Sequence, residues 1–493
     1  MVLFYYNQLE VSLVQQHNMF INGEWVGAES GETYAVTNPA NQEVVSTVPR
    51  GDDRDARKAI QAAADTFKTW AATPANERAE IMMRIYQLML DKKEELAQMI
   101  TLEMGKPIRE SRGEVQIAAD YIAWNAEEAK RIYGETIPAS SKDKRLLAIR
   151  QPVGPVAAIT PWNFPLSMVT RKVAPALAAG CSVVLKPAGQ TPGSAVQFFQ
   201  IAEEAGLPPG VANLVMGSAR QIGDEFLSNR LIRKITFTGS TEVGKQLLKG
   251  AADQVKRVSM ELGGHAPFIV FEDADLEKAV EGAIASKYRN AGQTCICLNR
   301  IYVQESVVKQ FTEIYKQKVT AMKIGNGLHE ATEIGPLVDR QGLEKAKQHI
   351  EDAVSKGAVL ECGGEVLTEG ELGKGNFLSP AVLTNVNEEM VIAHEETFGP
   401  VAPIFTFQTE EEVLDKANNT PYGLASYFYT KDLGRVIRMY EGLEYGIVGV
   451  NDPVPTTVQA PFGGVKESGM GREGGPNGLD DFLETKFVSI QFE

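Results

Sequence analysis

Apolar residues in this 493-residue chain return with a helical period through its first quarter and then regroup into short runs of strand length. Ala56, Ile60, Ala63, Ala64, Phe67 and Trp70 fall three or four residues apart, which predicts an amphipathic helix over 53–70. The same period continues over 77–104, with Ile81, Ile85, Leu88, Leu96 and Ile100 inward, and a third helical stretch is expected over 111–133. Phe20 to Trp25 reads as a strand and a tight turn, so folded sequence is expected to begin near Met19.

From Arg145 onward the pattern alternates. Apolar, β-branched runs at 155–160, 182–186, 212–216, 232–237 and 258–261 are separated by helical segments. Thr191-Pro192 predicts a helix start with a side-chain cap, and Gly180 a helix stop. Strands and helices in this order imply a parallel sheet covered on both faces, a doubly wound α/β architecture. The alternation resumes after Gly264, with strands expected at 268–271, 301–304, 402–407, 425–429 and 446–450 and helices at 276–288 and 307–322. Residues 363–375 are rich in Gly and Glu and read as a surface loop. Two amphipathic strands, 140–150 and 484–492, fit neither α/β unit. Their exposed edges predict a small sheet formed by these two pieces and used for subunit contact.

Composition narrows the function. The net charge is −15, so the electrostatic footprint of a nucleic-acid or anionic-membrane binder is absent, and an anionic substrate needs local positive charge. No apolar run approaches the ~20 residues of a membrane span. The first 17 residues lack a basic region and a cleavage site, and a cytoplasmic protein is expected. Four cysteines do not make a disulfide framework and suit a reducing compartment. The five histidines are scattered singly, and no Cys/His cluster suggests a metal site.

Candidate chemistry concentrates at four places. Arg289-Asn290-Ala291-Gly292-Gln293-Thr294-Cys295-Ile296-Cys297 places two of the four cysteines within three positions. They are either small packing residues or reactive thiols. Pro161-Trp162-Asn163-Phe164-Pro165 follows a strand, where open α/β sheets bind ligands. Phe237-Thr238-Gly239-Ser240 also follows a strand and opens a helix, whose free N–H groups suit a pyrophosphate. Glu261 ends a strand beside Gly263 and Gly264, as a general base with mobile neighbours or as a solvated carboxylate.

In this order and spacing, PWNFP, FTGSTEVG, MELGG, GQTC, EETFGP (395–400) and PFGG (461–464) resemble the aldehyde dehydrogenase superfamily from about Met19 to the C-terminus. RNAGQTCIC, LEYGIVGVN (443–451) and APFGGVKESGMGREG look most like its succinate-semialdehyde branch. The resemblance implies two Rossmann-like units: a dinucleotide-binding domain over 19–137 and 156–262, and a catalytic domain over 263–479. An oligomerisation element over 138–155 and 480–493 would make a homodimer or homotetramer, with 1–18 as an extension.

It further implies Cys295 as the nucleophile, Asn163 and the Cys295 backbone N–H as oxyanion donors, and Glu261 as the base that delivers water to a thioester. Lys172 would orient or relay protons, with Glu484 as its partner. Thr160, Trp162, Lys186, Gly239, Ser240, Glu396 and Phe398 would hold NAD or NADP. NAD-preferring relatives carry Glu three residues after the Lys186 position, whereas this chain has Gly189, so NADP should be accepted and even preferred. Arg171 and Arg289, with a hydroxyl from Thr456 or Thr457, would clamp a distal substrate carboxylate. Cys295 and Cys297 would form a reversible disulfide switch, although a bridge across one residue is strained. The expected reaction is oxidation of succinate semialdehyde to succinate. Glutarate semialdehyde and a non-catalytic binding relative are the alternatives, and a CoA-acylating enzyme fits less well because Glu261 is present.

Overall fold

The computed structural model describes residues 14–493; residues 1–13, most of the expected extension, lie outside them. An eight-stranded sheet has the order Gly469–Met470, Arg257–Glu261, Lys234–Thr238, Val156–Ile159, Val183–Lys186, Ala212–Leu214, Met19–Ile21, Glu24–Val26. Its five central strands are parallel and each outer neighbour runs antiparallel. The chain builds outward from Val156–Ile159 in one direction, then crosses back to place Lys234–Thr238 on its other side. The strand order therefore reverses between these two strands, and a crevice opens at their carboxyl ends. The following residues are Thr160 to Asn163 and Gly239-Ser240.

A seven-stranded sheet follows, in the order Val359–Cys362, Ala381–Thr384, Val401–Phe407, Leu298–Gln304, Ala266–Val270, Ala425–Tyr429, Ile447–Val450, parallel except for its first strand. Each large sheet carries its own buried apolar cluster, so the chain folds around two cores. Leu483–Gln491 pairs antiparallel with Lys144–Pro152 along nine residues, with Glu135–Ile137 on the far side. The two segments expected to find each other do so within one chain. Phe487 (62% exposed), Ile490 and Ile149 remain uncovered on this sheet.

Several boundaries differ from the sequence reading. Ordered structure begins before Met19: Gln15–Gln16 pairs with Val44–Pro49 and His17 is buried, so the extension does not reach residue 18. The helix expected over 77–104 is two, Ala75–Asp91 and Lys93–Met104, because Lys92 leaves helical geometry (ψ 18°). Helix Gly193–Glu204 does not use Thr191 as its cap. The buried Glu103 accepts the Gly193 N–H at 2.9 Å instead, while the Thr191 hydroxyl donates to Trp162 O. Helix Arg340–Ser355, capped by Asp339, adds to the helices read from the sequence. Among the described residues no helix is long and apolar enough to cross a membrane.

Candidate active site

Helix Ser167–Ala179 brings Arg171 and Lys172 beneath the loop that carries Asn163. The run before Cys295 is a compact turn in which Asn290, Ala291 and Gly292 all have left-handed backbone conformations (φ 53°, 53° and 77°). Asn and Gly tolerate that region and Ala does so at a cost, so surrounding contacts must hold the turn. They do. The Asn290 N–H donates to Glu110 Oε2 (2.8 Å), the Asn290 amide donates to Asn163 O (2.9 Å), and Gln293 Oε1 accepts the Val338 N–H (2.9 Å). Gly264 passes so close to this loop that a Cβ there would lie 2.3 Å from Cys295 O. Gly264 is thus required for close approach of backbone, besides any mobility it confers.

The turn presents Cys295 to a narrow cavity shared with Arg171, Arg289, Thr456, Tyr121 and Phe462. Asn163 is buried. Its Nδ2 donates to Gln293 O (3.1 Å), while its Oδ1 has no partner. The Cys295 backbone N–H finds no carbonyl acceptor among the described residues. Two donors beside one thiol are what an oxyanion requires. Burial, reinforced by Glu396 and opposed by Arg171, pushes the Cys295 thiol up to about 12. A thiol is therefore the form expected of the free enzyme at neutral pH. Its alkylation by iodoacetamide is expected to quicken about tenfold per pH unit between about pH 7 and about pH 9. A plateau below about pH 8 would contradict that reading.

Glu261 is buried, its Oε2 is unpartnered, and a Cβ at Gly463 would lie 2.8 Å from its Oε1. Burial, and then the nearby Glu473, raise its proton affinity well above the usual carboxylate range. Glu473 behaves oppositely. Burial works against its charge, but Lys172 and Arg171 outweigh burial and hold it below the ordinary value. Two carboxyl groups pushed apart in this way are fitted to different roles.

Glu473 corrects the sequence reading. Lys172 Nζ meets Glu473 Oε1 at 2.5 Å, whereas Glu484 lies on the surface 3.3 Å from Arg257. Glu473 belongs to the APFGGVKESGMGREG run that carries the family resemblance. Arg171 Nε also lies 2.8 Å from Glu473 Oε2, without the alignment of a hydrogen bond, and its Nη2 has no acceptor. The Arg171 guanidinium lies 3.9 Å from the centre of the Phe462 ring. Arg289 makes no ion pair or side-chain hydrogen bond among the described residues and lies 5.0 Å from the Phe164 ring centre. Of the two candidate hydroxyls, Thr456 lines the cavity and Thr457 is committed to Gln459.

At the crevice of the first sheet, the Thr160 and Thr238 hydroxyls are buried without partners among the described residues. Among the same residues Lys186 Nζ donates only to Pro187 O (2.9 Å), and burial lowers it to about 8. Ser240 caps helix Thr241–Ala251 through the Val243 N–H, and a Cβ at Gly239 would strike the Phe237 ring at 2.3 Å. Glu396 accepts the Gly264 N–H (3.2 Å). Burial, offset by that hydrogen bond, raises Glu396 to about 7. Phe398, at φ 56°, meets Trp162 edge-on with ring centres 5.5 Å apart. Cys297 is fully buried and free. Lys287 Nζ donates to its sulfur (3.3 Å), and the thiol faces Leu298 O (3.4 Å).

Residues 25–488 match the family model described as the aldehyde dehydrogenase family. The chain belongs to the aldehyde dehydrogenase family. Its relatives include a glutarate-semialdehyde dehydrogenase of Pseudomonas putida, 52% identical over 98% of this chain and 99% of that one. A succinate-semialdehyde dehydrogenase [NADP(+)] of Escherichia coli is 51% identical over the same shares, 98% and 99%. A 3-sulfolactaldehyde dehydrogenase of Pseudomonas putida is 53% identical over 97% and 98%. The fold is accordingly that of the aldehyde dehydrogenases.

Proposed function

We propose that this aldehyde dehydrogenase oxidises a short aldehyde bearing a terminal anion, succinate semialdehyde in the first instance, with NADP or NAD. One observation carries the reading: the cavity that exposes Cys295 also contains two guanidinium groups with free donors, Arg171 and Arg289, and the Thr456 hydroxyl. In a chain of net charge −15, that is a local reversal of sign aimed at one end of a substrate. Glutarate semialdehyde is the second reading, favoured by the glutarate-semialdehyde relative.

The chemistry follows from the groups present. Cys295 first releases its proton to solvent; the thiolate Sγ then adds to the aldehyde carbon as the C=O π bond opens, and the oxygen that gains charge faces the Asn163 amide and the Cys295 N–H. A nicotinamide dinucleotide would supply the hydride acceptor. Thr160, Lys186, Gly239 and Ser240 suit its ribose and phosphates, since the buried Thr160 hydroxyl has no partner among the described residues, Lys186 Nζ has donors beyond its one bond to Pro187 O, and the Gly239 turn at a helix start leaves no room for a side chain. Glu396, Phe398 and Trp162 would flank the nicotinamide end. Glu261 takes the proton from the water that opens the Cys295 thioester, and the Lys172–Glu473 pair keeps its surroundings charged and ordered. Self-association through the three-stranded sheet would cover Phe487, Ile490 and Ile149.

Arg289→Gln tests the anion clamp. A charge-assisted contact is worth about 1.5–3 kcal/mol. Its loss should therefore lower kcat/KM for succinate semialdehyde by about 10- to 150-fold and leave propanal and hexanal nearly unchanged. Equal losses on all three aldehydes would remove the clamp. For the cofactor, position 189 offers no carboxylate to repel a 2′-phosphate. The Tyr34 hydroxyl lies 3.6 Å from where a Cβ would stand. NADP should therefore match or exceed NAD in kcat/KM, and Gly189→Glu should reverse the preference. NAD ahead by about tenfold in the unmodified protein would refute this.

A further inference from the structure

Lys106 and Glu114 form an ion pair with side chains fully removed from solvent, and nothing in the proposed chemistry uses either residue. Isolated burial of two such charges is costly, so the pair must be thoroughly satisfied. Lys106 has three N–H donors and three recipients: Glu114 Oε2 (2.5 Å), the Asn163 backbone carbonyl (2.8 Å) and the face of Phe164 (3.8 Å to the centre). Glu114 Oε1 accepts the Leu166 and Ser167 N–H groups (2.9 and 3.2 Å). Helix Ser167–Ala179 has no side-chain cap of its own, so Glu114 satisfies its start from another element.

The Asn163 carbonyl is the joint. It accepts from Lys106 and also from the Asn290 amide (2.9 Å), which belongs to the turn that presents Cys295. Glu110, one turn before Glu114 on helix Ile108–Ala129, holds Asn290 by its N–H. One helix face thus fixes both the loop bearing the Asn163 amide and the loop bearing the thiol. We infer that the Lys106–Glu114 pair is the positioning device that aims the Asn163 amide at the oxygen of the Cys295 adduct. It acts through Asn163 and touches no substrate.

The inference rests on Asn163 being an oxyanion donor, and a double-mutant cycle separates the two ideas. The pair is removed together as K106M/E114Q, which leaves no unpaired buried charge and keeps an acceptor for the helix start. The readout is the single-turnover NADPH burst on succinate semialdehyde, with cofactor affinity and Tm measured alongside. In the native background the double substitution should slow the burst about 10- to 100-fold, the range for misplacing a reacting group. In an Asn163→Ala background it should cost less than about twofold, because the group it aims is gone. Equal slowing in both backgrounds, or none in the native one, would overturn the inference. An unimpaired burst in Asn163→Ala alone would instead remove the oxyanion reading on which it stands. Glu114→Gln alone provides a second route should K106M/E114Q fail to fold. It keeps an acceptor for the helix start, removes the charge that holds Lys106 against Asn163 O, and should show the same dependence on Asn163. Additive behaviour there would also overturn the inference.

Discussion

Cys295→Ala is expected to lower aldehyde oxidation by about 10⁴-fold or more while cofactor affinity and Tm stay near their original values. The sulfur is the strongest nucleophile lining the cavity, whose other candidates are the weaker hydroxyls of Ser167, Thr294 and Thr456. It is partly exposed to the cavity and packs only at the edge of the second core, so its loss removes little buried contact. Cys297→Ala should behave in reverse. That thiol is fully buried and is one of three acceptors for Lys287 Nζ, beside Leu298 O and Asn299 Oδ1. Its removal should cost about 1–2 kcal/mol of stability and little activity. If both alanine variants lost activity equally, the division between a reacting and a packing cysteine would fail. A disulfide with Cys295 would require Cys297 to leave these partners.

Glu261→Gln should lower steady-state kcat by about 10²- to 10⁴-fold yet retain the first-turnover burst, because glutamine keeps the shape and cannot take a proton. Burial and then Glu473 raise the carboxyl's proton affinity, so it is a base only above its raised pKa. In the unmodified enzyme kcat should therefore fall on acidification through that pKa, about tenfold per pH unit. Loss of burst and turnover together would place Glu261 before the thioester instead of after it.

Much of this was legible in the sequence because strands and motifs are local. The alternation after Arg145 marks five parallel strands, and the placement of Asn163, Gly239 and Glu261 at strand ends follows from the hydrophobic runs alone. What the sequence hid is long-range. Lys172 pairs with Glu473, 301 positions away, and no spacing rule distinguishes Glu473 from Glu484. Glu103 replaces Thr191 as a helix cap from 90 positions away. Lys106, Glu114 and Asn290 look like ordinary surface residues in a linear reading and are buried around one carbonyl. Lys92 ends a helix with neither Gly nor Pro to announce it.

A thioester on Cys295 carrying a short, anion-tipped acyl group is the intermediate on which the proposed reaction turns. Glu261→Gln, mixed with NADP and succinate semialdehyde and quenched in acid within the burst, isolates that species for mass measurement. The expected result is one succinyl group per active site, fragmenting to Cys295 and leaving Cys297 unmodified. No adduct, or one that persists after Cys295→Ala is added, would contradict it.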